Sequence, residues 1–184
     1  RGAGWPRDPP PPHGGNSSSS TSLCPGSDPT GAQDSSAALT RCVLKAMVSP
    51  GFVSVELGGG VYRLDHPLVV ADPRAGPSNK SAFRLVGGTL QAGPSFPSDR
   101  YLVELTATSA IAIDSMRFEA ASRGGCLRLN SGRQTAVTGS FFRGFTTHGI
   151  WATCTGNNGS SVAQSCYNYG MGGAGDELIV QQSW

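Results

Sequence analysis

Two kinds of short apolar segment alternate along this chain, each returning after about two dozen residues. Val86-Gly87-Gly88-Thr89-Leu90, Ile113-Asp114-Ser115-Met116-Arg117-Phe118 and Val137-Thr138-Gly139-Ser140-Phe141-Phe142 start 27 and 24 residues apart. Leu102-Val103-Glu104-Leu105, Leu127-Arg128-Leu129 and Ile150-Trp151-Ala152 start 25 and 23 residues apart. Interleaved repeats of this length belong to solenoids. One coil cannot bury its apolar side alone, so coils stack and each strand pairs with the strands above and below. Alternate residues of a strand point inward. Leu102, Leu127, Leu129 and Ile150 are therefore expected in the core, and Glu104 and Arg128 outside.

Composition agrees with an all-β chain rich in turns. Of 184 residues, 26 are Gly and 14% are charged, too few charges for a helical bundle. The 38% hydrophobic content is enough for a small core. A net charge of +2 gives no strong field toward nucleic acid or membrane. Only Lys45 and Lys80 are lysines among 14 basic residues. The rest are arginines, whose planar fork suits carboxylates, including those of uronic acids. No apolar run reaches the length of a membrane span.

One helix is expected, from about Asp34 to Met47. Asp34 or Ser35 can cap it, and Ala38, Leu39, Cys42, Val43, Ala46 and Met47 form one apolar face. It is placed to cover the first coil, whose unpaired strand edges are otherwise an aggregation hazard. Residues 1–27 read as a Pro/Ser-rich extended tail, with Pro9-Pro10-Pro11-Pro12 favouring polyproline II, and residues 28–184 as the β domain. The chain begins at Arg1 and shows no signal peptide, which reads as a processed or trimmed chain.

Three sequons, at Asn16, Asn79 and Asn158, lie in loop-like stretches where N-glycosylation is tolerated. The cysteines are Cys24, Cys42, Cys126, Cys154 and Cys166. No C-x-x-C pair is present, so a zinc site is not expected; no cluster of oxygen ligands points to calcium, and no cofactor is expected. Pairing Cys24 with Cys42 would tie the entry segment to the helix, and Cys154 with Cys166 would staple a loop. Five cysteines allow several connectivities.

Several blocks resemble a known family. Asp28-Pro29-Thr30-Gly31-Ala32-Gln33-Asp34-Ser35-Ser36 followed by a helix resembles the entry to the pectate-lyase-superfamily β-helix. Gly87 to Ala92, Phe96 to Leu105, Ser122 to Gly125 and Phe141 to Ile150 are similar to the QUARTET-type polygalacturonases of plants. The resemblance runs from about Asp28 to Trp151. It implies a single-stranded right-handed parallel β-helix, an N-terminal capping helix and an origin among extracellular enzymes acting on polygalacturonate.

Such hydrolases pair a carboxylic acid with a carboxylate base. The polygalacturonase motifs Asn-Thr-Asp, Asp-Asp, Gly-His-Gly and Arg-Ile-Lys are absent from this sequence. Thr147-His148-Gly149 comes nearest, and Asp99, Asp114 and His148 are the remaining catalytic candidates. A step of 24 residues carries Glu104 onto Arg128 and Glu119 onto Arg143, which predicts ladder ion pairs. The same step carries Asp114 onto Thr138 and leaves it without a charged partner. Arg100, Arg123, Tyr101 and Trp151 are candidate glycan contacts, with Tyr167, Tyr169 and Trp184 as further aromatics.

The sequence thus predicts a secreted, glycosylated β-helix, extracellular or associated with the cell wall. Its role is structural or carbohydrate-associated and non-catalytic, with polysaccharide or attached glycans as partners. Identical subunits could join head to tail through the tail 1–27 and the uncapped C-terminal coil. Neither nucleic acid nor a membrane span enters this reading. The second reading is a pectin-acting glycoside hydrolase, atypical or represented by a fragment.

Overall fold

The computed structural model describes residues 21–22, 24–49, 51–71, 83–106, 109–130, 133–153 and 178–181. Residues 1–20 of the tail lie outside them, as do Asn79, Asn158, Cys154, Cys166, Tyr167, Tyr169 and Trp184.

Thirteen strands and one helix are described, and every strand pairing is parallel. Sheet A holds β1 (Thr21–Ser22), β2 (Thr30–Asp34), β3 (Val53–Glu56), β4 (Val61–Leu64), β6 (Phe83–Ala92), β8 (Ser109–Glu119), β10 (Arg133–Thr138), β11 (Phe141–Arg143) and β13 (Leu178–Gln181). Sheet B stacks β5 (Leu68–Ala71), β7 (Tyr101–Thr106), β9 (Gly125–Asn130) and β12 (Ile150–Thr153). The chain alternates between the two sheets as it winds, so the architecture is a parallel β-helix.

Sheet A has two arms. The first half of β6 pairs with β3 and the second half with β4. The first half of β8 likewise pairs with β10 and the second with β11. The bend runs through Gly87, Ser115 and Gly139, at φ of 63°, 54° and 55°. Glycine enters this left-handed region at little cost. Ser115 is the non-glycine member of the row, and its hydroxyl donates to Asp114 Oδ1 at 3.0 Å.

Leu85, Ile113 and Val137 form one buried row of the first arm, and Leu90 pairs with Phe118 in the second. Phe118 and Phe142 stack at 4.9 Å between ring centroids and 3° between planes.

The helix α1 (Ser36–Val48) starts two residues later than expected, because Asp34 ends β2. Ser35 is the N-cap residue and makes no side-chain cap bond; Asp34, one residue earlier, accepts the Ser36 N–H on its Oδ1 at 3.0 Å in an Asx turn. Ala38, Leu39, Cys42, Val43, Ala46 and Met47 are buried, and the helix packs on β3 and β5. The sulfurs of Cys24 and Cys42 are bonded. The folded body also reaches upstream of Asp28, since β1 pairs with β3 and Cys24 joins the core.

Three readings of the repeat need correction. The register sets Leu85, not Val86, opposite Ile113, because the turn from Gln91 to Tyr101 is four residues longer than its counterpart from Glu119 to Gly125. A one-residue slip exchanges the faces of a strand, so Val86 lies only half-buried beside Asp114. In sheet B, Leu127 pairs with Val103 rather than Leu102, although Leu102 is buried too. Ile150, expected in the core, is half-buried on β12, the last described strand of sheet B.

Candidate functional site at the entry to sheet B

The longer turn matters because it delivers Phe96, Asp99 and Arg100 to the start of β7. Phe96 is buried and anchors the turn. Asp99 is exposed. Arg100 folds back as a fork on Glu104, with Nε and Nη2 donating to the two carboxylate oxygens at 2.8 and 2.9 Å. The Tyr101 N–H also donates to Glu104 Oε1.

This changes the reading of Glu104. It stands opposite Arg128 in the ladder, but the side chain that holds it is Arg100, the turn residue just before its own strand. It is buried rather than exposed. Burial pushes its carboxyl upward. The Arg100 bonds, the Tyr101 N–H and the Arg100 and Arg128 charges outweigh that and hold it below the usual carboxylate range.

One coil on, Gly124 and Gly125 leave room for this turn. A Cβ on Gly124 would lie 1.9 Å from the Arg100 carbonyl oxygen, and one on Gly125 would meet the Tyr101 ring at 2.2 Å. Gly124 is also at φ 45°. The Gly125 N–H donates to the Arg100 carbonyl, and the Cys126 N–H to the His148 carbonyl. Three successive coils are thereby laced together at this corner.

On the third coil, His148 Nδ1 lies 3.0 Å from the Tyr101 hydroxyl. With the phenol donating, Nδ1 accepts and the ring proton falls to Nε2. The His148 and Trp151 rings meet at 4.3 Å, tilted by 59°. Trp151 is 38% exposed and follows Arg128 in the outward row Val69, Glu104, Arg128, Trp151.

The structure thus brings Tyr101, His148 and Trp151 into one contact chain, with Arg100 just before Tyr101 and Arg128 paired with Trp151. Arg123 is engaged with the long turn, its Nη1 donating to the Phe96 carbonyl at 3.2 Å. Arg128 and the Gly124-Gly125 pair are the parts that residue types alone did not flag as a site. The signal was available one repeat beyond Glu104 and Arg100-Tyr101.

Asp114 stands elsewhere, on sheet A, and has a charged partner after all. Arg84, from the preceding coil, donates to Asp114 Oδ2, while Ser115 and Thr138 donate to Oδ1. The repeat arithmetic found Thr138 but looked only forward. The Arg84 bond is the largest cause holding the Asp114 carboxyl below its ordinary range. Glu119 does pair with Arg143, at 3.0 Å. Cys126 is a buried free thiol, and burial pushes it up to about 12.

A glycosidase acid needs a raised pKa. Among the described residues, the carboxyls whose titration is displaced are Asp28, Asp34, Glu104 and Asp114, and all four are lowered. What the sheet B corner offers is an exposed indole, an imidazole and a phenol beside arginine. This combination can stack against a sugar ring and bond its hydroxyls. No group of His, Cys, Asp and Glu able to hold a metal occurs among the described residues, and no helix among them is long and apolar enough to cross a membrane.

No family model matches the chain, and no solved structure does. The chain is 30% identical over 146 residues to the Arabidopsis thaliana protein named Polygalacturonase QRT3, a stretch covering 68% of this chain and 29% of that relative. This likeness and the stacked parallel coils together support a polygalacturonase-like family for the chain.

Proposed function

We propose that this chain forms a secreted, glycosylated β-helix of polygalacturonase-like ancestry that holds acidic polysaccharide without hydrolysing it. The observation that carries the reading is the Tyr101–His148–Trp151 contact chain beside Arg128 at the entry to sheet B. The aromatic rings supply stacking faces, and the arginine supplies a planar donor for a uronate carboxylate. The downward-held carboxyls of Glu104 and Asp114 support a non-hydrolytic role, because both are committed to arginine. The likeness to a plant polygalacturonase supports an extracellular or cell-wall location. Titration of oligogalacturonides into the chain is expected to show binding that Trp151→Ala weakens about tenfold. Unchanged affinity in that variant would refute the site.

The second reading, a pectin-acting hydrolase of which this chain is an atypical form or a part, is favoured by the relative's name and by the share of it that is matched. Release of reducing ends from polygalacturonate by this chain, abolished in Asp114→Asn, would replace the first reading with the second. The proposal extends to self-association through residues 1–27 and the last coil. Because α1 covers β3 and β5 at the other end, the tail would have to supply that contact. Sedimentation as a monomer at every concentration, with the tail open to protease, counts against this part.

A further inference from the structure

The outward face of the second arm of sheet A carries an arrangement that the sheet B corner does not use. Two arginines on neighbouring coils share one carboxylate: Glu119 Oε1 lies 3.0 Å from Arg143 Nη2 and 4.0 Å from Arg117 Nη1. Both guanidinium side chains remain more than half exposed, at 60% and 56%. Arg117 also lies over the Phe141 ring, 5.4 Å from its centroid, in the register that pairs the two residues across coils. Among the described residues, this cluster holds two positive charges against one negative. Glu119 and the Phe141 ring are the contacts that orient these exposed side chains. Arg117 stands opposite Phe141 and Arg143 opposite Glu119, so the two arginines are diagonal neighbours, about 7–8 Å apart on one outward face.

We propose that Arg117, Arg143 and Phe141 form a second binding surface for a carboxylate-bearing sugar polymer, on a different face from Trp151. Planar guanidinium groups accept carboxylates bidentately, and the surplus positive charge is complementary to a polyuronate. The Phe141 ring beside them gives an apolar face for the sugar, which an anion alone does not need. The inference rests on the proposed affinity for acidic polysaccharide but assigns it a separate contact.

The test measures affinity for polygalacturonate, for its fully methyl-esterified counterpart and for polyglutamate, by titration calorimetry at low salt. Arg117→Gln and Arg143→Gln are each expected to weaken polygalacturonate binding about fivefold, the upper end for an exposed charge contact. The double lysine variant Arg117→Lys/Arg143→Lys keeps the charge and loses the fork, so an intermediate loss is expected. Thermal midpoints of all variants separate lost binding from lost folding. Unchanged affinity in Arg117→Gln/Arg143→Gln overturns the second surface. Equal affinity for the methyl ester overturns the carboxylate requirement, and equal affinity for polyglutamate overturns the sugar assignment. The two sites fail separately. If only Trp151→Ala weakens binding, the sheet B reading stands and this one falls. If only the arginine variants do, the reverse holds.

Discussion

The start of the stack and the strands β11 and β12 are covered differently among the described residues. At the first end, α1 lays Leu39, Val43 and Met47 against β3 and β5, each no more than 1% exposed, and the Cys24–Cys42 disulfide ties the entry segment to the helix. On β11, β12 and the turn between them, Phe142 and Ile150 are half-buried, and Phe145 and Trp151 are exposed, while β13 continues the first arm on β10. The strand chemistry is the same at both. What differs is the neighbour, which shows that in a solenoid burial is a property of the stack rather than of the coil. Phe118, one coil inward from Phe142, is fully buried.

The sharpest way to break this contrast is to remove a ring from the middle. Phe118→Ala should cost about 4 kcal/mol, the range for a fully buried aromatic. It should unfold both ends together in a urea titration. Loss confined to the far coils would show that the ends are energetically independent.

Much of the fold is legible in the sequence because stacking forces a period on it. The 24-residue step from Glu119 to Arg143 and the 23-residue step from Leu127 to Ile150 are both strand registers in the structure. The apolar face of α1 is equally plain at helical spacing. The step from Val86 to Ile113 misleads by one residue because turn length is under no such constraint. The longer turn before β7 shifts the count without disturbing the strands. The site is less legible for a related reason. Arg100 reaching Glu104 is a fold-back from the preceding turn onto β7, and Arg84 reaching Asp114 comes from the coil before. Neither follows from adding one repeat. The Tyr101–His148 contact spans two coils across Gly125, and only the missing Cβ atoms reveal the space for it.

The closed end has a covalent component that can be removed alone. Cys24→Ala/Cys42→Ala opens a loop with a sequence separation of 18 and should cost about 3 kcal/mol. A lower urea midpoint is expected, with an m-value that rises as the unlinked denatured chain expands. No change would mean that helix packing alone closes this end.

On β11 the matching truncation should matter less. Phe142→Ala removes a half-buried ring that keeps its stack with Phe118, and about 2 kcal/mol is expected, below the fully buried aromatic range. A cost equal to that of Phe118→Ala would show that β11 is covered in solution as well as the middle strands.

The smallest effect tests the corner between the ends. Glu104 is buried, and its folded-state pKa lies below the ordinary 4.5. A carboxyl depressed by folding stabilises the protein above its unfolded pKa, and that contribution is lost as pH falls through the folded value. The loss should therefore begin near pH 4.5 and continue below it. Arg100→Gln removes the fork and should cost about 1 kcal/mol at pH 7. It should also flatten the acid limb of stability against pH, because the carboxyl then titrates nearer its unfolded value. Glu104→Gln should flatten the same limb by removing the titrating group. If the acid limb keeps its slope in both variants, the Arg100–Glu104 clamp is not what holds the long turn against β7.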